Sequence, residues 1–139
     1  MPAPQKPSTS LEKRVHIPYP DASANLPFSS AVIVGNTAYL CGHIGFEPGT
    51  LSVPADLDDE IHAMMSSLRE TLTRASLTMN DLVSVQVFCC DISLFDRFNK
   101  IYVTYFKYPF PTRAFIGSGP LLCGAHFEIQ GIAVKAIDA

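Results

Sequence analysis

Two charges stand inside the apolar closing stretch FPTRAFIGSGPLLCGAHFEIQGIAVKA, residues 110–136. One is Arg113, just after Pro111-Thr112; the other is Glu128, inside an alternating apolar run. A bare guanidinium or carboxylate in a core strand costs several kcal/mol unless something pairs with it. Arg113 suits a structural ion pair or an arginine snorkelling from a strand end. It equally suits an anion clamp, in which the guanidinium fork holds a carboxylate through two parallel hydrogen bonds. Around Glu128, alternation puts Phe127, Ile129, Gly131 and Ala133 on one face and His126, Glu128, Gln130 and Ile132 on the other. A carboxylate so placed is partly desolvated, which raises its pKa and suits it to act as a base. It could as simply pair with Arg113, and spacing alone leaves both readings open.

The remaining candidates are weaker. His43 sits in CGHIG at the end of a strand. Together with His16, His62 and His126 it makes no metal-ligand spacing, so no metal site is expected. Cys41 and Cys123 each adjoin a glycine. Without a partnering base they read as small core residues rather than nucleophiles. No glycine pattern forms a phosphate loop. Asn99 lies off a helical stripe, and nothing local decides its role.

The chain has 139 residues, enough for one domain. Residues 1–12 read as a polar, proline-rich tail and 13–139 as the domain. With 47% hydrophobic and 17% charged residues, the chain can fill a core and is expected to bury further surface in an oligomer. A net charge of −3 gives no basic footprint, so no nucleic-acid partner is expected. No apolar run reaches the roughly 18 residues of a membrane span. The four cysteines read as reduced, mostly buried thiols in a chain without a signal peptide. The expected compartment is cytoplasmic. Mitochondrial targeting is the alternative, from Lys6, Lys13 and Arg14 against Glu12 near the start.

The elements that must position these groups can be read from periodicity. KRVHI suggests a short strand. SSAVIVGNTAYLCGHIG reads as two strands turning at Gly35-Asn36, residues that both tolerate positive φ. From Asp58 to Ser76, the stripe Ile61, Met64, Met65, Leu68, Leu72 and Ala75 predicts a helix. Asp56 is its expected N-cap, with Asp58, Asp59 and Glu60 complementing the helix dipole. LVSVQVFCCDI alternates as a strand, with Val83, Val85, Val87 and Cys89 on one face. Leu94, Phe98, Ile101, Tyr102 and Tyr105 predict a second helix, and strands follow near 112–118 and 125–136. This order predicts an α+β fold, a mixed sheet of about six strands with two helices packed on one face. The other face needs a cover, and a second copy of the chain is the simplest one.

At this point LPFSSAVIVGNTAYLCGHIG, DLVSVQVFCCDISLFDRFNKIYVTYF and FPTRAFIGSGPLLCGAHFEIQGIAV together resemble the Rid (reactive intermediate deaminase, or YjgF) family over about residues 15–136. The resemblance implies a chorismate-mutase-like fold and a homotrimer with sites between subunits. It also implies cofactor-independent hydrolysis of 2-aminoacrylate-type enamines or imines to 2-oxo acids and ammonia. Arg113 matches the family arginine that binds the substrate carboxylate, and Glu128 the glutamate thought to handle water. Asn99 matches an asparagine near the site, and Gly42 helps complete the pocket.

Departures cluster in the expected pocket wall. Phe28 stands for the usual tyrosine, Cys41 for serine and His43 for glutamine. Phe115 replaces a smaller residue, Cys123 a lysine, and Gln130 an acid. These changes suggest a bulkier or more apolar substrate in a specialised pathway as the alternative. A non-catalytic ligand-binding trimer is the third reading. Some family members resemble ribonucleases or translation inhibitors in reported activity, but no basic stripe or stacking platform supports that here.

Overall fold

The computed structural model describes residues 11–21 and 25–136. The tail expected at 1–12 therefore lies almost wholly outside the described residues. Six strands and two helices follow in the order β1 (Arg14–Ile17), β2 (Ala31–Val34), β3 (Thr37–Leu40), α1 (Leu57–Arg74), β4 (Leu82–Cys89), α2 (Phe95–Tyr102), β5 (Thr112–Gly117) and β6 (Phe127–Val134). This is the order that periodicity predicts. The strands form one sheet ordered β1-β2-β3-β6-β4-β5. Its neighbours are antiparallel except β4 and β5, which run parallel. The sheet is thus mixed, and the fold is the α+β layer expected.

The β2–β3 hairpin closes across Val34 and Thr37 with a two-residue turn. Only Gly35 of the pair takes positive φ, at 59°. Helix α1 begins where Asp56 accepts a hydrogen bond from the Asp59 backbone N–H at 3.0 Å, satisfying one orphan donor. Its stripe of Ile61, Met64, Met65, Leu68 and Leu72 is fully buried. That stripe packs on Ala38, Leu40, Val85, Val87, Cys89, Phe127 and Ile129, with Phe98 and Tyr102 of α2 completing the core.

Three expectations need correction. Val83 is 45% exposed while Leu82 is buried. The β4–β6 register shifts between Leu82 and Ser84. A bulge there adds one residue to β4 and turns Val83 to the open face. Ala133 and Ile132 face the shift, and Gly131, paired with Val85 just beyond it, leaves room where a Cβ would sit 2.9 Å from both Leu82 Cδ2 and Ser84 O. Second, Glu60 does stand in the first turn of α1 but is fully buried, so complementing the helix dipole is not its whole role. Third, only Cys89 is buried, Cys41 is partly so, and Cys90 and Cys123 are exposed. Cys89 ends β4 in the core, and Cys90, just past the strand, is exposed.

The sheet face away from the helices carries Tyr39, Ser84, Gln86, Gln130 and Ile132 around a shallow depression of about 400 Å³. Gln130 donates to Gln86 Oε1 across it at 3.0 Å. Among the described residues no helix is long and apolar enough to cross a membrane.

Candidate active site: two half-sites on one sheet

Arg113 lies on β5, in register with Val85 of β4. Val85 faces the helices and is buried, so Arg113 projects toward the same layer. There its guanidinium carbon sits 4.7 Å from the ring centre of Tyr102. Phe95, Phe115 and Phe98 lie at 5.5, 5.6 and 5.9 Å. Phe115 also packs edge-on against Phe95 at 5.0 Å and against Phe98 at 5.4 Å. Cation–π attraction of this kind holds the fork without consuming its N–H donors. No hydrogen bond or ion pair engages Arg113 among the described residues. Asn99, on α2, has a buried Oδ1 that also lacks a partner.

Glu128 lies on β6, opposite Phe88. Phe88 is three residues from Val85, so Glu128 occupies the other face of the sheet. The intramolecular pair with Arg113 left open by the sequence is absent. Burial raises the Glu128 carboxyl above its usual range. Gly42 explains how the carboxylate sits so close to the backbone. A Cβ on Gly42 would overlap Glu128 Oε1 and come within 3.0 Å of Cδ. The neighbouring Cys41 thiol is pushed up to about 11, by burial first and then by the Glu128 charge. It is therefore protonated near neutrality and a poor nucleophile.

His43 secures this second cluster from behind. Its backbone bridges Ile129, donating to Ile129 O at 2.6 Å and accepting from Ile129 N at 3.0 Å. The ring is only 6% exposed and faces α1, not Glu128. Nδ1 lies 2.8 Å from Cys41 O, and Nε2 lies 2.8 Å from Thr71 Oγ1. A carbonyl only accepts, so Nδ1 carries the proton and Nε2 accepts from the threonine hydroxyl. Burial lowers the ring to about 4, which keeps it neutral.

Phe28 is half-exposed, with its ring edge-on to Tyr19 at 6.1 Å. It joins the Glu128 cluster through the segment whose Ser30 O accepts from the Cys41 N–H at 2.9 Å. Cys123 is exposed on the 122–124 turn, with φ at 58°. No hydrogen bond or ring contact ties it to either cluster among the described residues. The fold thus gathers Arg113, Phe115 and Asn99 on one side and Cys41, Gly42 and Glu128 on the other. His43 lies behind the second group, Phe28 beside it and Cys123 apart from both.

Glu60 was missed as a positioning residue. Its Oε2 accepts from the His126 and Phe127 N–H groups at 2.8 and 3.2 Å, and Oε1 meets His126 Nδ1 at 2.8 Å. These contacts fix the start of β6 next to Glu128. No local signal marks this, because the carboxylate reaches across 66 residues of sequence.

Comparison with known proteins agrees with this architecture. The model of the Endoribonuclease L-PSP family matches residues 20–135. The human 2-iminobutanoate/2-iminopropanoate deaminase is 32% identical over 128 residues, covering 91% of this chain and 93% of its own. The Mus musculus protein of the same name is 34% identical over 110 residues, covering 78% and 82%. Among solved structures, RidA from an Antarctic Psychrobacter superposes with a TM-score of 0.77 at 28% identity, covering 86% of this chain and 94% of that one. The YjgF gene product of E. coli gives 0.74 at 28% identity, with coverage of 79% and 89%. With its sequence matched almost from end to end and its fold shared, the chain belongs to the Endoribonuclease L-PSP family, the Rid or YjgF family.

Proposed function

We propose that this protein hydrolyses 2-imino acids and their enamine tautomers to 2-oxo acids and ammonia, at sites formed between subunits of a homotrimer. The observation that carries the reading is Arg113, a cation boxed by four rings with no internal carboxylate to neutralise it. Such a fork suits the carboxylate of a small organic acid. Glu128 supplies the second function. Its raised pKa suits a base that takes a proton from water near neutrality. Within one chain the two groups lie on opposite faces, so a single substrate can touch both only across a seam between copies. The open sheet face offers the surface for that seam. Relatives named 2-iminobutanoate/2-iminopropanoate deaminase support the same chemistry.

The reaction is written with no cofactor. An enamine first gains a proton at C3 from solvent to become the protonated imine. Arg113 holds the carboxylate, and Glu128 accepts a proton from water as its oxygen attacks C2. The C=N π pair moves onto the already protonated nitrogen, giving a neutral carbinolamine. Glu128 then gives its proton to nitrogen and takes the one on the hydroxyl, so the C=O bond forms as the C–N bond breaks and ammonia leaves the 2-oxo acid. Holding base, water and imine together contributes effective molarity. Phe28, Asn99 and Phe115 are the proposed substrate contacts, with Cys41 and Gly42 shaping the wall. His43 acts through the backbone, and Cys123 is placed at the rim. Four unpaired thiols favour the reducing cytoplasm as the compartment. A bulkier or more apolar substrate is the second reading, favoured by the rings of Phe95 and Phe115, which lie 5.0 Å from each other and 5.5 and 5.6 Å from the Arg113 guanidinium.

The test uses 2-iminobutanoate generated in situ, with ammonia release measured. Arg113→Ala and Glu128→Gln should each fall about a thousandfold. Unfolded and refolded together in equal amounts, the two inactive chains should regain about a quarter of wild-type activity. Half the sites then receive an intact arginine and half of those an intact glutamate from the neighbour. An Arg113→Ala rate equal to wild type ends the catalytic reading. No recovery on mixing ends the shared site.

A further inference from the structure

Around the end of α2 the fold leaves three polar groups without a protein partner. The Arg113 fork is one, and Asn99 Oδ1 and the Tyr102 hydroxyl are buried and unpaired among the described residues. Tyr102 is only 4% exposed. Folded chains pair nearly all such groups, because a buried hydroxyl without a partner is costly. Packing does not explain the oxygen. The ring contacts are with Phe98 at 5.6 Å, Phe106 at 4.8 Å and the Arg113 guanidinium at 4.7 Å. Phenylalanine would make all three. Asn99 and Tyr102 are three residues apart on α2, so they share one helix face.

We propose that the Tyr102 hydroxyl is a further binding group of this site, donating a hydrogen bond to the carboxylate that Arg113 grips. The inference rests on the functional reading above. A carboxylate has about four lone-pair positions, and a bidentate guanidinium uses two. The ring centre lies 4.7 Å from the guanidinium carbon, which places the Tyr102 side chain in the immediate surroundings of an anion on the fork. Burial pushes the phenol up to about 12, with Arg113 pulling weakly the other way. The group is therefore a neutral donor across the working range, as a carboxylate partner requires. A hydroxyl kept at a cost to the free chain is repaid when ligand arrives.

The experiment titrates 2-oxobutanoate, the stable product, into wild type, Tyr102→Phe and Arg113→Ala by calorimetry, with melting temperatures measured alongside. Tyr102→Phe should bind about tenfold more weakly and melt at or above the wild-type temperature. Its KM for the imine should rise by the same factor with kcat little changed. Arg113→Ala should show no binding. If Tyr102→Phe binds as wild type while Arg113→Ala does not bind, the hydroxyl has no such role and the functional reading stands. Weaker binding accompanied by a lower melting temperature makes the hydroxyl structural and overturns the inference. Wild type indifferent to the probe, or Arg113→Ala binding normally, removes both.

Discussion

The two faces of the sheet hold their charges by different means. Arg113 is held by soft forces: four ring faces around a fork on the edge strand, with polar groups left unpaired nearby. Glu128 is held by the backbone. Gly42 lies against its carboxylate, His43 bridges Ile129, and Glu60 fastens the start of β6. The difference fits the tasks proposed for them. A carboxylate-binding fork tolerates small shifts, because two parallel bonds re-form over a range of angles. A base must keep its oxygen close to one attacking water, where a displacement of about 1 Å costs rate heavily. The rigid network is therefore expected where the proton moves.

The comparison makes Glu60 the most sensitive point of the rigid half. Glu60→Ala orphans two backbone N–H groups and strips His126 of its partner, and should cost about 4 kcal/mol in urea denaturation. Glu60→Gln keeps a carbonyl oxygen for those donors and should recover most of the loss. Equal stability for the alanine variant and wild type would erase the contrast between the two halves.

A smaller effect tests His43 through pH. Its folded pKa, about 4, lies below the ordinary 6.5. The unfolded chain therefore binds more protons between these values, and stability falls as pH drops through that window. From pH 7.5 to 5 the loss from this ring is about 2 kcal/mol, and His43→Gln should lack it. Glu128 works in the opposite sense, since its carboxyl is raised in the folded chain, so the comparison belongs in a Glu128→Gln background. A slope unchanged by the histidine substitution would remove His43 as a buried neutral brace.

The smallest expected effect is on rate. Gly42→Ala introduces a methyl where Glu128 sits and should lower kcat/KM about tenfold by displacing the carboxylate. Binding of 2-oxobutanoate through Arg113 should change much less. Loss of binding by the same factor would show that the halves do not respond separately.

Much of this was legible in the chain. The stripe from Ile61 to Leu72, the Asp56 cap, the Gly35 turn and the alternation around Glu128 are local patterns, and local patterns determine local structure. The charges at 113 and 128 stood out because an apolar strand gives a charge no cheap place. Val83 was misassigned because a bulge depends on the partner strand, here on how Ala133 and Ile132 meet Leu82 and Ser84. Glu60 was misread because a helix start explains an acid as readily as a distant backbone does. Tyr102 passed as an ordinary stripe residue, since periodicity sees its ring and not its oxygen.

By itself, then, the sequence determined the elements, their order and the two charges that demand chemistry. The tertiary structure alone decided that those charges face opposite ways. That outcome depends on register, with Arg113 aligned to Val85 and Glu128 to Phe88, three residues further along β4. Strand alternation states which residues share a face but not which neighbour the face meets, and that choice is made by contacts between distant parts of the chain.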